Sequence, residues 1–187
     1  MTESGATAGL PGTRTRILPF VTHTSVVVGN PKPASKTLHA ASLLAEGLAG
    51  QAPDSVLDLV ELGARLLSWG DETVQRAADT VARSSLVVFA SPTYKATFTG
   101  LLKLFLEQFA GGTGLAGVVA VPLMLGAGDA HALAPEVHLR PVLSELGATC
   151  PAPALYLIDR TYETDGALAA YVERWGPVVR TLTGAAP

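Results

Sequence analysis

Five short apolar runs recur along the chain, and each gives way to a stretch with helical spacing. The runs are Ser25–Val28, Ser55–Leu59, Leu86–Ala90, Val118–Leu123 and Pro153–Ile158. The first, third and fourth are valine-rich and nearly unbroken in apolarity, which predicts central parallel strands covered on both faces. The second alternates more and contains Asp58, which suits an edge strand. Helices are predicted over Lys36–Leu48, Asp71–Arg83, about Thr97–Phe109 and about Pro135–Leu146. A last helix is marked by Leu168, Tyr171, Val172, Trp175, Val178, Val179 and Leu182, which share one face. Gly176-Pro177 inside it should kink it or end it early. Pro141 lies inside the fourth helix and cannot donate to the carbonyl of Val137, so a kink or one-residue bulge is expected near Val137–Pro141. This alternation implies right-handed βαβ units and an α/β fold: a doubly wound, five-stranded parallel sheet, order 2-1-3-4-5, with helices on both faces.

That order is the flavodoxin-like one, in which a ligand sits outside the carboxyl ends of the strands beside strand 1. The loops after strands 1, 3 and 4 are therefore the candidates for chemistry. The first reads Gly29-Asn30-Pro31-Lys32-Pro33-Ala34-Ser35-Lys36-Thr37 and runs straight into a helix. First-turn amides have no intrahelical partner and lie at the positive end of the dipole. Lys32 and Lys36 add charge, and Ser35 and Thr37 add hydroxyl donors. The loop itself, with Gly29 as its one glycine, holds no G-x-G-x-x-G and no Gly-Lys-Ser/Thr ending, so it suits a single terminal phosphate such as that of FMN. An ordinary polar turn capped by Ser35 would read the same way. The loop after strand 3 is Ser91-Pro92-Thr93-Tyr94-Lys95-Ala96-Thr97-Phe98-Thr99-Gly100; Tyr94 beside Lys95 offers a surface for a flat, electron-poor ring, or simply a cover for the core. After strand 4 come Leu125-Gly126-Ala127-Gly128-Asp129-Ala130-His131, small residues that let backbone amides approach a ligand edge. Asp129 would also serve as a plain helix cap.

Composition narrows the classes. The chain has 187 residues, 48% hydrophobic and 16% charged, enough for one well-packed domain. A net charge of −3, with no basic run interleaved with aromatics, argues against nucleic acid. One cysteine, Cys150, excludes an intramolecular disulfide and a cysteine metal cluster. No apolar stretch is long enough to span a bilayer. Residues 1–22 lack the apolar core of a secretory signal and read as a mobile leader to a domain spanning residues 23–187. A soluble, cytoplasmic protein is expected. His39 falls on the exposed side of the first helix. Asp159, Arg160 and Tyr162 follow strand 5 with nothing to separate them from a surface loop.

The three loops together, with the segment Leu139-Arg140-Pro141-Val142-Leu143, resemble the NAD(P)H-dependent FMN reductases. The similarity runs from about Ser25 to Ile158 and leans toward the branch supplying reduced flavin to alkanesulfonate monooxygenases. Its most specific part is Pro92-Thr93-Tyr94-Lys95 through Gly100-Leu101-Leu102-Lys103. The resemblance implies that Asn30, Lys32, Ser35 and Thr37, with the amide of Leu38, hold the FMN phosphate. It implies that Pro92, Thr93, Tyr94 and Lys95 contact the ribityl chain and ring. Gly126, Ala127, Gly128 and Asp129 would line the rest of the ring, with His131 close by. Two positions depart from the family pattern: Leu38 stands where a hydroxyl is common, and Phe98 where a tyrosine is expected. In the sulfonate-linked branch an inserted residue, commonly tyrosine, makes a π-bulge at the oligomer interface; Val137-His138 occupies that region here.

The implied reaction is hydride transfer from NADPH or NADH to FMN, giving FMNH2 for a flavin-dependent monooxygenase, in a homodimer or homotetramer. The cofactors carry the reactive atoms, so no catalytic triad is required, and no G-x-S-x-G or H-E-x-x-H occurs. Lys95 is the candidate for offsetting negative charge on the reduced ring. Two other readings share these loops: a quinone, azo or chromate reductase with bound FMN, and a non-enzymatic flavodoxin-type electron carrier.

Overall fold

The computed structural model describes residues 22–184, so the expected leader lies, save for Thr22, outside the described residues. The strands are β1 (Thr24–Val28), β2 (Ser55–Asp58), β3 (Leu86–Pro92), β4 (Val119–Gly126) and β5 (Leu155–Ile158). They form one parallel sheet in the order β2-β1-β3-β4-β5, as the apolar pattern predicts. Register pairs Val26 with Val56 and Val88, and Val88 with Val121, so the valine runs meet across the centre.

Alternation along the strands divides the core into two layers. Val26, Val28, Val88, Ala90, Val121 and Leu123 point to one face, where α1 (Lys36–Ala49) and α5 (Ala167–Thr183) pack. Val27, Val87, Phe89, Ala120 and Met124 point to the other, beneath α2 (Glu72–Ala82), α3 (Gly100–Leu106) and α4 (Arg140–Glu145). Both faces are apolar because both are covered, which is why the central runs read as continuous rather than alternating. Pro122 sits in a central strand without losing a ladder bond. Ala120 donates to Thr149 on the β5 side, and Pro122 two residues on faces the same side before β5 has begun at Leu155.

Two helices differ from the sequence pattern, and a third carries the distortion that the pattern predicts. The third begins at Gly100, not near Thr97, because Thr99 caps it and Tyr94–Thr97 is taken up in a tight turn. Around Pro141 the expected distortion is present: Pro135–Leu139 forms a π-turn in which the amide of Arg140 donates to the carbonyl of Pro135. The wider turn absorbs the donor that Pro141 lacks. The last helix, expected to kink or end early at Gly176-Pro177, runs on to Thr183 and ends at left-handed Gly184. Its packing outweighs the lost bond: Val179 is fully buried, and the Arg180 guanidinium donates to the carbonyls of Gly47 and Leu48 at the end of α1. Among the described residues no helix is long and apolar enough to cross a membrane.

Candidate functional site

The carboxyl ends of β1, β3 and β4 open onto a cleft of about 320 Å³, lined by Asn30, Lys32, Ser35, Lys36 and Thr37 on one side. Pro92, Thr93 and Tyr94, with Leu125, Gly126, Ala127 and Asp159, line the rest. A second hollow of about 460 Å³ shares Thr93, Gly126 and Ala127 and continues over Gly128, Asp129, His131 and Tyr156.

The loop after β1 is built from side-chain bonds to its own backbone. Asn30 is buried; its Oδ1 accepts from the amide of Lys32 at 2.9 Å and its Nδ2 donates to Thr37 Oγ1 at 3.1 Å. Ser35 caps α1, its Oγ accepting from the amide of Leu38 at 3.3 Å. The amides of Lys36 and Thr37 are first-turn donors with no intrahelical acceptor, facing the side where Lys32 and Lys36 add positive charge. Ala34 is left-handed, φ 49°, and its amide donates to Asp58 Oδ2 at 3.3 Å. Asp58 is buried at the end of β2, and burial pushes its carboxyl above the ordinary range against the pull of its bonds from Ala34 and Val60. The edge-strand aspartate therefore turns inward to hold the loop.

The loop after β3 is pinned at both ends. The amide of Thr93 donates to Leu125 O at 2.6 Å, and Ser91 Oγ accepts from the amide of Thr99 at 3.0 Å. Thr99 Oγ1 caps α3 and also donates to the carbonyl of Gly29, tying this loop to the first. Between these pins Tyr94 and Thr97 exchange backbone bonds at 2.9 and 3.2 Å across Lys95 and Ala96, whose φ values are 51° and 68°. Two positive-φ residues at the centre make a type I′ turn, here without glycine. Tyr94 is thereby left half-exposed above the cleft. The loop after β4 rests on β5: Gly126 O accepts from the Asp159 amide at 2.9 Å, and Gly128 O from Tyr156 Oη at 2.7 Å. A Cβ on Gly126 would land on Tyr156 Oη, so a larger residue there requires the tyrosine ring to move away. Gly128, not Asp129, precedes the short Asp129–His131 turn, so Asp129 is no cap.

The residues expected from sequence divide accordingly. Asn30, Lys32, Ser35, Thr37, Pro92, Thr93, Tyr94, Gly126 and Ala127 gather at the cleft, and Gly128, Asp129 and His131 line the adjoining hollow. Leu38 is not among the lining residues, and its amide is engaged by Ser35. Lys95 stands exposed at the tip of its turn, outside both linings. Sequence reasoning gave no role to Asp58, Thr99 or Tyr156, whose partners lie 24, 70 and 28 residues away. Only the inward-facing polar residue at a strand end hinted at the first of them. Two lining residues carry oxygens shielded from solvent and without a hydrogen-bond partner in the protein: Thr93 Oγ1 and Asp159 Oδ1. Unpaired acceptors of this kind, first-turn amides and two lysines fit a phosphorylated, hydroxyl-bearing ligand such as FMN.

Fold and cleft together define a flavodoxin-like α/β protein with an open cleft at its topological switch point. The chain belongs to the NADPH-dependent FMN reductase family, whose pattern matches residues 22–163. It is similar to an FMN reductase (NADPH) of Pseudomonas putida, with 37% identity over 75 residues, 40% of this chain and 38% of that protein. In that match the chain spans well under half of the relative's length. Its fold is similar to that of an NADH:FMN oxidoreductase in the apo form, with TM-score 0.75 and 25% identity, covering 86% of this chain and 89% of that one. An oxidoreductase from Corynebacterium diphtheriae shares the fold at TM-score 0.71 and 22% identity, covering 88% and 96% of the two chains.

Proposed function

We propose that the protein is an NAD(P)H-dependent FMN reductase that hands its reduced flavin to a flavin-dependent monooxygenase. The observation that carries this reading is the division of one cleft into two chemically different ends. One end, at the start of α1, is cationic and hydroxyl-lined; the other lies between Tyr94 and the small residues Gly126 and Ala127. Bound FMN would supply the ring that accepts hydride from the nicotinamide.

Everything else falls to the chain's own residues. Asn30, Lys32, Ser35 and Thr37 bind and orient the phosphate, with the amides of the first turn of α1 behind them. Pro92, Thr93, Tyr94, Gly126 and Ala127 hold the ring and its side chain, and leave one ring face open for a stacked nicotinamide. The amides of the 126–131 loop are the groups placed to offset negative charge on the reduced ring, and Lys95, outside the lining, adds a positive field from a greater distance. The reading includes a cytoplasmic homodimer or homotetramer, supported by Leu133 and Val137, which stand 72% and 54% exposed on the segment leading into α4.

Titration with FMN and with riboflavin, followed by visible absorbance, tests the site. FMN should bind roughly ten-fold or more tightly, the worth of one charge-assisted contact to its phosphate. NADPH or NADH oxidation should depend on added FMN. Equal affinity for the two flavins would overturn the phosphate assignment, and bound flavin without nicotinamide oxidation would point to an electron carrier. Flavin retained through dilution, with ping-pong turnover of quinones, would favour the quinone reductase reading.

A further inference from the structure

We propose that the loop after β5 forms a fourth wall of the cleft and that Asp159 on it is a specificity-determining residue, its carboxylate accepting a hydroxyl of the ligand's polyol chain. This rests on the flavin reading above and assigns a recognition role to a loop outside the three that define the site.

Three observations converge on Asp159. First, it lines the same cleft as the phosphate loop and Tyr94, although β5 is the far edge strand of the sheet. Second, its backbone is held on both sides: its amide donates to Gly126 O at 2.9 Å, and its carbonyl accepts from Lys36 Nζ at 2.7 Å. Third, Oδ1 of its carboxylate is shielded from solvent and has no partner in the protein. Buried acceptors are almost always paired, and one left open in a binding cleft marks the place of a ligand donor.

The loop is rigid enough to present that oxygen. Tyr162 is buried, and its hydroxyl meets His39 Nδ1 at 2.8 Å and donates to Glu163 Oε1 at 3.0 Å. Lys36 and His39, one turn apart on α1, thus grip the loop at two points. The donor is identified by its charge and position. A carboxylate repels a phosphate, so Oδ1 does not serve the anionic end. Between the phosphate loop and the Tyr94 turn the FMN-class ligand carries ribityl hydroxyls, which are neutral O–H donors matched to a carboxylate. Thr93 Oγ1, the other unpaired oxygen of the lining, takes part in the same stretch.

The test compares wild type, Asp159→Ala and Asp159→Asn against FMN, riboflavin and lumiflavin, the last having no polyol chain. Asp159→Ala keeps both backbone bonds, so the flavin-free protein should unfold at or above the wild-type temperature. It should bind FMN and riboflavin about ten-fold or more weakly, by the same factor, with lumiflavin unchanged. Asp159→Asn, which keeps an acceptor, should lose less. Unchanged FMN binding by Asp159→Ala would overturn the proposal while leaving the flavin site standing. So would an equal loss for lumiflavin, which moves the contact to the ring, or tighter FMN binding, which moves it to the phosphate. Wild-type protein that binds none of the three would instead refute the flavin reading itself, and this proposal with it.

Discussion

Gly29→Ala tests how the first and third loops are locked together. Gly29 leaves β1 with its amide bonded to Ala90 O at 2.8 Å and its carbonyl accepting from Thr99 Oγ1. A Cβ there would overlap Leu102 Cβ and stand 3.0 Å from Leu102 Cα and N. Two of these are backbone atoms of α3, and Leu102 is fully buried, so no side-chain rotation relieves the contact. Relief requires α3 to move away from β1. Overpacking of this kind costs about 1–3 kcal/mol. Losing the Thr99–Gly29 bond adds about 0.5–1.5 kcal/mol, and alanine returns about 0.4–1 kcal/mol through the unfolded chain. The net is a loss of roughly 2–3 kcal/mol, or about 5–10 °C in Tm for a domain of this size. Gly100→Ala is the control, since a Cβ at that position meets nothing within 4 Å. Thermal and urea unfolding of the flavin-free proteins measures both. A Gly29→Ala protein within about 0.5 kcal/mol of wild type would refute the reasoning.

Two further perturbations probe the loops from other sides. Gly126→Ala clashes only with the far end of one side chain, Oη and Cζ of Tyr156, so it should be relieved by movement of that ring at little cost to stability while releasing Gly128 O. Flavin affinity should then fall by a factor near that of Tyr156→Phe, and a large drop in Tm would show instead that Tyr156 cannot move. Asp58 titrates above the ordinary carboxylate range in the folded protein, mainly because it is buried. The folded state therefore holds more protons than the unfolded state as pH rises from about 4, and this contribution to stability is lost as pH climbs through the folded value. Asp58→Asn keeps an acceptor for the Ala34 amide and removes that loss, so urea midpoints should show wild type weakening relative to the variant with rising pH; a constant gap would refute it.

The sheet was legible because its signal is local. Valine runs at β1, β3 and β4 declare two covered faces, and the loop that follows each strand is fixed once the order is known. The bulge before α4 was legible for the same reason, since Pro141 and its missing partner lie within one turn. The persistence of α5 through Pro177 was not, because the opposing terms come from α1: Arg180 on the Gly47 and Leu48 carbonyls, and Gly47 against Val172. The fourth wall was hidden likewise, for Lys36 and Asp159 are 123 residues apart. The Tyr94–Thr97 turn escaped notice for a different reason. Its two positive-φ positions are Lys95 and Ala96, and a turn of this type normally announces itself by glycine or asparagine.

Positive-φ backbone shows how the site is held. Among the described residues, only Ala34, Lys95 and Ala96 are non-glycine residues with positive φ. All three lie in the loops after β1 and β3, where each costs of order 1 kcal/mol or more. Each is restrained by a named bond: Ala34 by Asp58, and the other two by the exchange between Tyr94 and Thr97. The strain is thus confined to the two loops that border the cleft and is balanced by a bond to β2 for Ala34 and by the paired bonds of the turn itself for Lys95 and Ala96. The Ala34 turn sets the amides that begin α1 against the cleft, and the Lys95–Ala96 turn lifts the Tyr94 ring above it. Replacing a strained residue with glycine would ease the backbone at the expense of the fixed geometry on which those two orientations depend.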